Sequence, residues 1–159
     1  MSSSTLPRES FLAIAAVVAA DGLLKQDESK ALARAVSAYG LSPEDAEAVT
    51  SAATERVELA SIDLSELDGW QQAVTYAVAS WLAQVDGVVN AAELSTLRQL
   101  GEQLGLPRPK LEAARSAAYD IAALPRDQRP DKYDFSGLEA RLAEKLPALH
   151  RASLPPSVR

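Results

Sequence analysis

Four carboxylates stand out by their spacing: Asp21 with Glu28, and Asp86 with Glu93, each pair framing the pattern Asp-Gly-x5-Glu. That pattern can serve two chemistries. The glutamate can fold back onto the free amides that open a helix, where its charge also meets the positive end of the helix dipole. Alternatively, the acids can offer oxygens to a hard divalent cation, calcium or magnesium. In the second pair Asn90 stands three residues before Glu93 and completes a capping box, whereas Lys25 occupies that position before Glu28. Asp, Gly, the aliphatic residue two beyond it (Leu24 or Val89) and Glu also match the later half of an EF-hand loop. The earlier half fails, because its two leading ligands would be Val17 and Ala19 in one loop and Leu82 and Gln84 in the other. Calcium takes roughly six to eight oxygens. The EF-hand manner of binding is therefore set aside, and helix capping and a partly hydrated cation site both stand.

Other site chemistries find little to work with. The chain has no cysteine and a single histidine, His150, in a late helical stretch beside Arg151, where a surface position is expected. No Gly-x-Ser-x-Gly elbow occurs, and the 7 glycines are isolated from one another, so no phosphate-cradling loop exists. No catalytic residues and no enzyme are expected. Trp70 and Trp81 lie eleven residues apart, about three helical turns, and are read as core. The net charge of −6 is unevenly spread: residues 42–68 hold eight acids against Arg56 alone, whereas residues 108–159 hold ten Lys and Arg against seven acids. That tail lacks the dense basic stripe of a nucleic-acid binder, so no nucleic-acid partner is expected. The acidic middle and the basic end could pair within the chain or across a homodimer. The longest apolar run, Phe11 to Ala20, is half the ~20 residues that a membrane span needs. It reads as a core helix in a cytoplasmic protein, with no membrane span.

The elements that must position the acids follow from an internal repeat. Residues 11–54 align with residues 76–119 at a constant offset of 65, without a gap, and eleven of the 44 positions are identical. Asp21/Asp86, Gly22/Gly87, Glu28/Glu93, Leu32/Leu97 and Gly40-Leu41/Gly105-Leu106 are among them. In each copy, apolar residues at helical spacing (Phe11, Ala15, Val18; Tyr76, Ala79, Leu82, Ala83) lead to Asp-Gly, where glycine suits a left-handed helix end. A second helix follows through Leu32, Ala35, Val36 and Tyr39, or through Leu94, Leu97, Leu100 and Leu104, and stops at Gly40 or Gly105. A third starts at Ser42-Pro43-Glu44-Asp45 in the first copy and, less regularly, at Pro107-Arg108-Pro109 in the second.

Residues 1–5 are expected to be disordered, with one domain over 6–124: copies at 6–54 and 69–123, and an acidic connection at 55–68. Asp63, with Glu66 three residues on, predicts a short helix around Leu64 to Leu67. A proline-marked loop at 125–135 precedes an amphipathic helix over 136–150, capped by Ser136 and passing through Leu138, Leu142 and Leu146, with Pro147 ending or kinking it. Residues 151–159 are expected to be a disordered tail. No strand-like alternation is present. The expected fold class is all-α, a single domain of seven or eight helices with a pseudo-twofold duplication.

The pattern Ala-Asp-Gly-aliphatic-aliphatic-x3-Glu-x3-Leu, a Gly-Leu about twelve residues after the glutamate, the acidic connection and the second copy together resemble the TerB family of tellurite-resistance proteins over roughly residues 6–124. The resemblance implies a cytoplasmic, stress-associated, non-enzymatic module that binds other proteins and carries acids proposed to hold a divalent metal. Transferred by position, those acids are Asp21 and Glu28 in one copy and Asp86 and Glu93 in the other. The alternatives are a small-ligand or enzymatic domain with its cleft between the copies, and an adaptor domain of a larger assembly docking through its basic tail.

Overall fold

The computed structural model describes residues 6, 8–19, 32–37, 39–55, 59–65, 67–83, 91–122 and 135–153. Among them are eight α-helices, one short 3-10 helix and no strand. In chain order these are α1 (Arg8–Val18), α2 (described over residues 32–37), α3 (Pro43–Glu55), the 3-10 turn (Leu59–Ser61), α4 (Gly69–Ala83), α5 (Ala91–Leu104), α6 (Arg108–Ala122), α7 (Phe135–Lys145) and α8 (Pro147–Ser153).

The opening helices of the two halves, α1 and α4, form the centre. Eight of the 11 residues of α1 and twelve of the 15 of α4 are buried, so neither helix is amphipathic; each is apolar nearly all round and surrounded by other elements. They pack on each other, α1 also against α3 and α5, and α4 also against α5, α6 and α8. Alanine at Ala13, Ala15, Ala16, Ala73, Ala77 and Ala79 lets these backbones approach closely. Trp70 and Trp81 are buried as expected, at 3% and 4% exposure. Where the centre is polar it is paired: the Thr75 hydroxyl donates to Ser10 Oγ at 3.0 Å, and both side chains are fully buried. Those residues are 65 apart.

The second corner of each half has one construction. Gly40 (φ +67°) and Gly105 (φ +74°) both take the left-handed conformation, which a Cβ disfavours, with open space around them, so backbone conformation and not crowding calls for glycine. Gly40 N–H donates to Ser37 O and Leu41 N–H to Val36 O, a Schellman closure; Gly105 N–H donates to Glu102 O, the position equivalent to Ser37. The next helix starts with Asp45 N–H on Ser42 Oγ at 3.2 Å in the first half, the predicted cap. Pro107 offers no such side chain in the second half, where its carbonyl receives Lys110 N–H and Leu111 N–H.

Several expectations need correcting. The helix around Leu64 to Leu67 is a turn: Asp63 Oδ1 accepts from Ser65 N–H and Oγ–H, holding the chain in a local Asx turn, and the helical turn lies earlier, at Leu59–Ser61. Gln103 of α5 anchors it by donating to the carbonyls of Leu59 and Ile62. Helix α4 opens with a reciprocal box that the sequence reading passed over, Gln71 N–H to Asp68 Oδ1 and Asp68 N–H to Gln71 Oε1. Helix α7 starts at Phe135, so Ser136 lies inside its first turn and does not precede it. Pro147 starts α8 at the position where a missing N–H does no harm, and α8 runs on to Ser153, past the expected boundary at 150.

These last helices belong to the core. Leu138 and Leu142 are fully buried, α7 packs on α6, and an added Cβ at Gly69 would lie 2.7 Å from Leu149 Cδ2, so α8 rests on the bare backbone that opens α4. His150, expected at the surface, sits half-buried with its ring edge-on to Trp70 at 4.9 Å. The tail's cations Arg141 and Lys145 approach Asp120 at 3.9 and 3.4 Å, an acid of the same C-terminal region and not of the acidic middle.

Candidate functional site

Of the four acids singled out by spacing, Glu93 falls within the described residues; Asp21, Glu28 and Asp86 lie outside them, as do both Asp-Gly corners. Glu93 is the third residue of α5 and is 0% exposed, the one charged residue among the buried described side chains. A bare carboxylate so deep would be costly, and Glu93 is in fact engaged in a polar interaction. Its place in the first turn adds the helix dipole and free amides in its favour. Capping and cation ligation both use a carboxylate at this point. Among the described residues no three acids, histidines or cysteines are grouped to hold a metal ion.

A second feature was not foreseen. Helices α4, α5 and α6 leave a groove of about 600 Å³ that continues into a smaller recess of about 190 Å³, the two sharing Tyr76, Arg98 and Arg115. Tyr76 and Ser80 of α4, 8% and 2% exposed, form its floor. Gly101 lets Leu111 and Tyr76 pack close against α5, since a Cβ there would stand 2.9 Å from Leu111 Cδ1 and 3.4 Å from Tyr76 Cε1. Burial pushes the Tyr76 phenol above its ordinary range, while the Arg115 and Arg98 guanidiniums draw it back. Leu94, in line with the buried Leu97 and Leu100 on α5, is 40% exposed on the rim of the recess, opposite Tyr119 at 42%. Arg115 lies over the Tyr119 ring, 5.8 Å from its centroid. The one sequence signal for this groove is a set of exchanges at the offset of 65, in which Val36, Thr50 and Thr54 give way to Gly101, Arg115 and Tyr119.

The family model of the tellurite resistance protein TerB matches residues 9–116, from the first turn of α1 into α6. The chain belongs to the TerB family. Its all-helical fold fits that membership, and the TerB match takes in Glu93 and most of the groove, while α7 and α8 lie beyond it. No curated protein and no solved structure matches the chain. No described helix is long and apolar enough to cross a membrane.

Proposed function

We propose that this TerB-family chain is a non-enzymatic, cytoplasmic binding module of the stress and tellurite-resistance type, acting through protein contacts and tuned by a divalent cation at its Asp-Gly-x5-Glu loops. Asp21 with Glu28 and Asp86 with Glu93 supply the carboxylates. The observation that supports this most is Glu93: a carboxylate wholly inside the fold, at the mouth of the second loop, is where a hard cation or a capping network would draw it. Membership of the family carries the link to tellurite resistance.

Thermal unfolding with and without millimolar calcium, magnesium or manganese tests the cation. At tenfold excess over Kd, binding adds about 1.4 kcal/mol, a Tm rise of ~3–6 °C for a chain of this size. Asp86→Asn combined with Glu93→Gln should abolish the rise. A chain whose Tm ignores all three ions leaves Glu93 as a helix cap and the module as a protein binder alone. A pull-down from native cells, with and without chelator, reads partner and cation together.

A further inference from the structure

The α5–α6 groove carries more than an accident of packing would. Leu94 and Tyr119 are the two large hydrophobic side chains exposed among the described residues, and both stand on its rim, one from each wall. One turn along each wall comes a guanidinium: Arg98 follows Leu94 by four residues on α5, and Arg115 precedes Tyr119 by four on α6. Among the described residues the recess that these four border is lined by two arginines and no acid. Further along, the groove holds Glu102 and Glu112 against three arginines, and Arg108 is paired with Glu112 at 3.1 Å, which leaves Arg98 and Arg115, the two cations common to groove and recess, as the anion-receiving pair. Arginine on both walls suits a planar carboxylate, and flanking exposed apolar surface suits neighbours that a small free anion would not have. The lining on α5 runs from Leu94 to Glu102, about 12 Å of helix, and continues to Leu106 beyond its end, enough for several side chains of a bound segment.

We propose that the groove between α5 and α6 docks an acidic amphipathic segment of a partner protein, a carboxylate being received between Arg98 and Arg115 and apolar side chains resting on Leu94 and Tyr119. The proposal rests on the reading of the chain as a protein-contact module and names its docking face. It is independent of the cation.

The test uses the full-length chain and a fluorescein-labelled heptapeptide of leucine, phenylalanine, aspartate and glutamate, with a twin in which asparagine and glutamine replace the acids. Anisotropy titration should show the acidic peptide binding, more weakly at higher salt, and the amide twin at least about tenfold weaker. Arg98→Ala with Arg115→Ala, and separately Leu94→Ser with Tyr119→Ser, should each weaken the acidic peptide by about tenfold or more, with melting curves confirming that these surface variants remain folded. Equal binding by the arginine variant, equal binding of the amide twin, or no binding at millimolar protein overturns the proposal. So does displacement of the peptide by inorganic phosphate at low millimolar concentration, which would mark a small-anion site. A parallel pull-down with wild type and the arginine variant separates the two failures: partners captured equally by both sink the groove and keep the protein-contact reading, whereas capture by neither, with the peptide bound normally, sinks the broader reading alone.

Discussion

The two stretches that align in sequence share their second glycine corner and present different surfaces. In the first, Phe11 is fully buried and its ring meets Tyr39 at 5.8 Å; the Tyr39 hydroxyl then donates to Glu139 of α7 at 2.9 Å, tying that half to the C-terminal helices. In the second, the equivalent residues are Tyr76, whose phenol lines an open groove, and Leu104, which has no hydroxyl to offer. The helix after the glycine corner opens with acids in the first half, Glu44 and Asp45, and with Arg108 and Lys110 in the second. What is held in common is the left-handed glycine, the closure behind it and the buried faces at Leu32/Leu97 and Val49/Ala114. Inward-facing positions and the corner glycine are alike in the two stretches, while the outward side chains differ, and those of the second border the groove.

The largest test of this division concerns the core. Leu100 and its counterpart Ala35 are both fully buried, so the halves fill one position with different volumes. Leu100→Ala should cost ~2–5 kcal/mol by urea denaturation, and Ala35→Leu ~1–3 kcal/mol through overpacking. If either change is silent, the equivalence of the two interiors is looser than described. Next come the corners: Gly40→Ala and Gly105→Ala should each cost about 1 kcal/mol, with nearly equal drops in urea midpoint, because both need the same left-handed backbone in open space. A large loss at one and none at the other would break the correspondence there. The smallest effect is at the aromatic pair. Tyr76→Phe gives the second half the residue type of the first and should leave neutral-pH stability within ~0.5 kcal/mol. The sign appears in alkali: with the folded phenol held above its ordinary value, its contribution is intact below the unfolded value of about 10 and is lost as pH rises through the folded value. The variant should lack that alkaline loss, and ultraviolet titration should lose one late-ionising tyrosine.

Much of this architecture was legible because local rules decided it. Apolar periodicity placed the helices, glycine placed their ends, and Ser42 placed a cap. The Asp68–Gln71 box that opens α4 is equally local, an acid and an amide three residues apart. Other features depend on the distance between helices, which periodicity does not encode. Leu94 shares a helical stripe with Leu97 and Leu100, yet the stripe is wider than the surface that α4 covers, and its edge is left in water. His150 looked exposed because nothing nearby in sequence announces Trp70. The Asp63 turn used a cap-forming acid for a tighter local structure, a competition that short polar side chains often win. Of the four acids, spacing picked out Glu93 correctly as a residue at the start of a helix, and its complete burial came only from the fold.

The union of α7 and α8 with the rest has a practical side. The TerB match ends at residue 116, but Leu138, Leu142 and Leu149, which seats on Gly69, lie beyond it. A shortened version cut where the match ends would bare a greasy flank of α4 and α6 and should clump on expression; the packed unit is longer than the matched one.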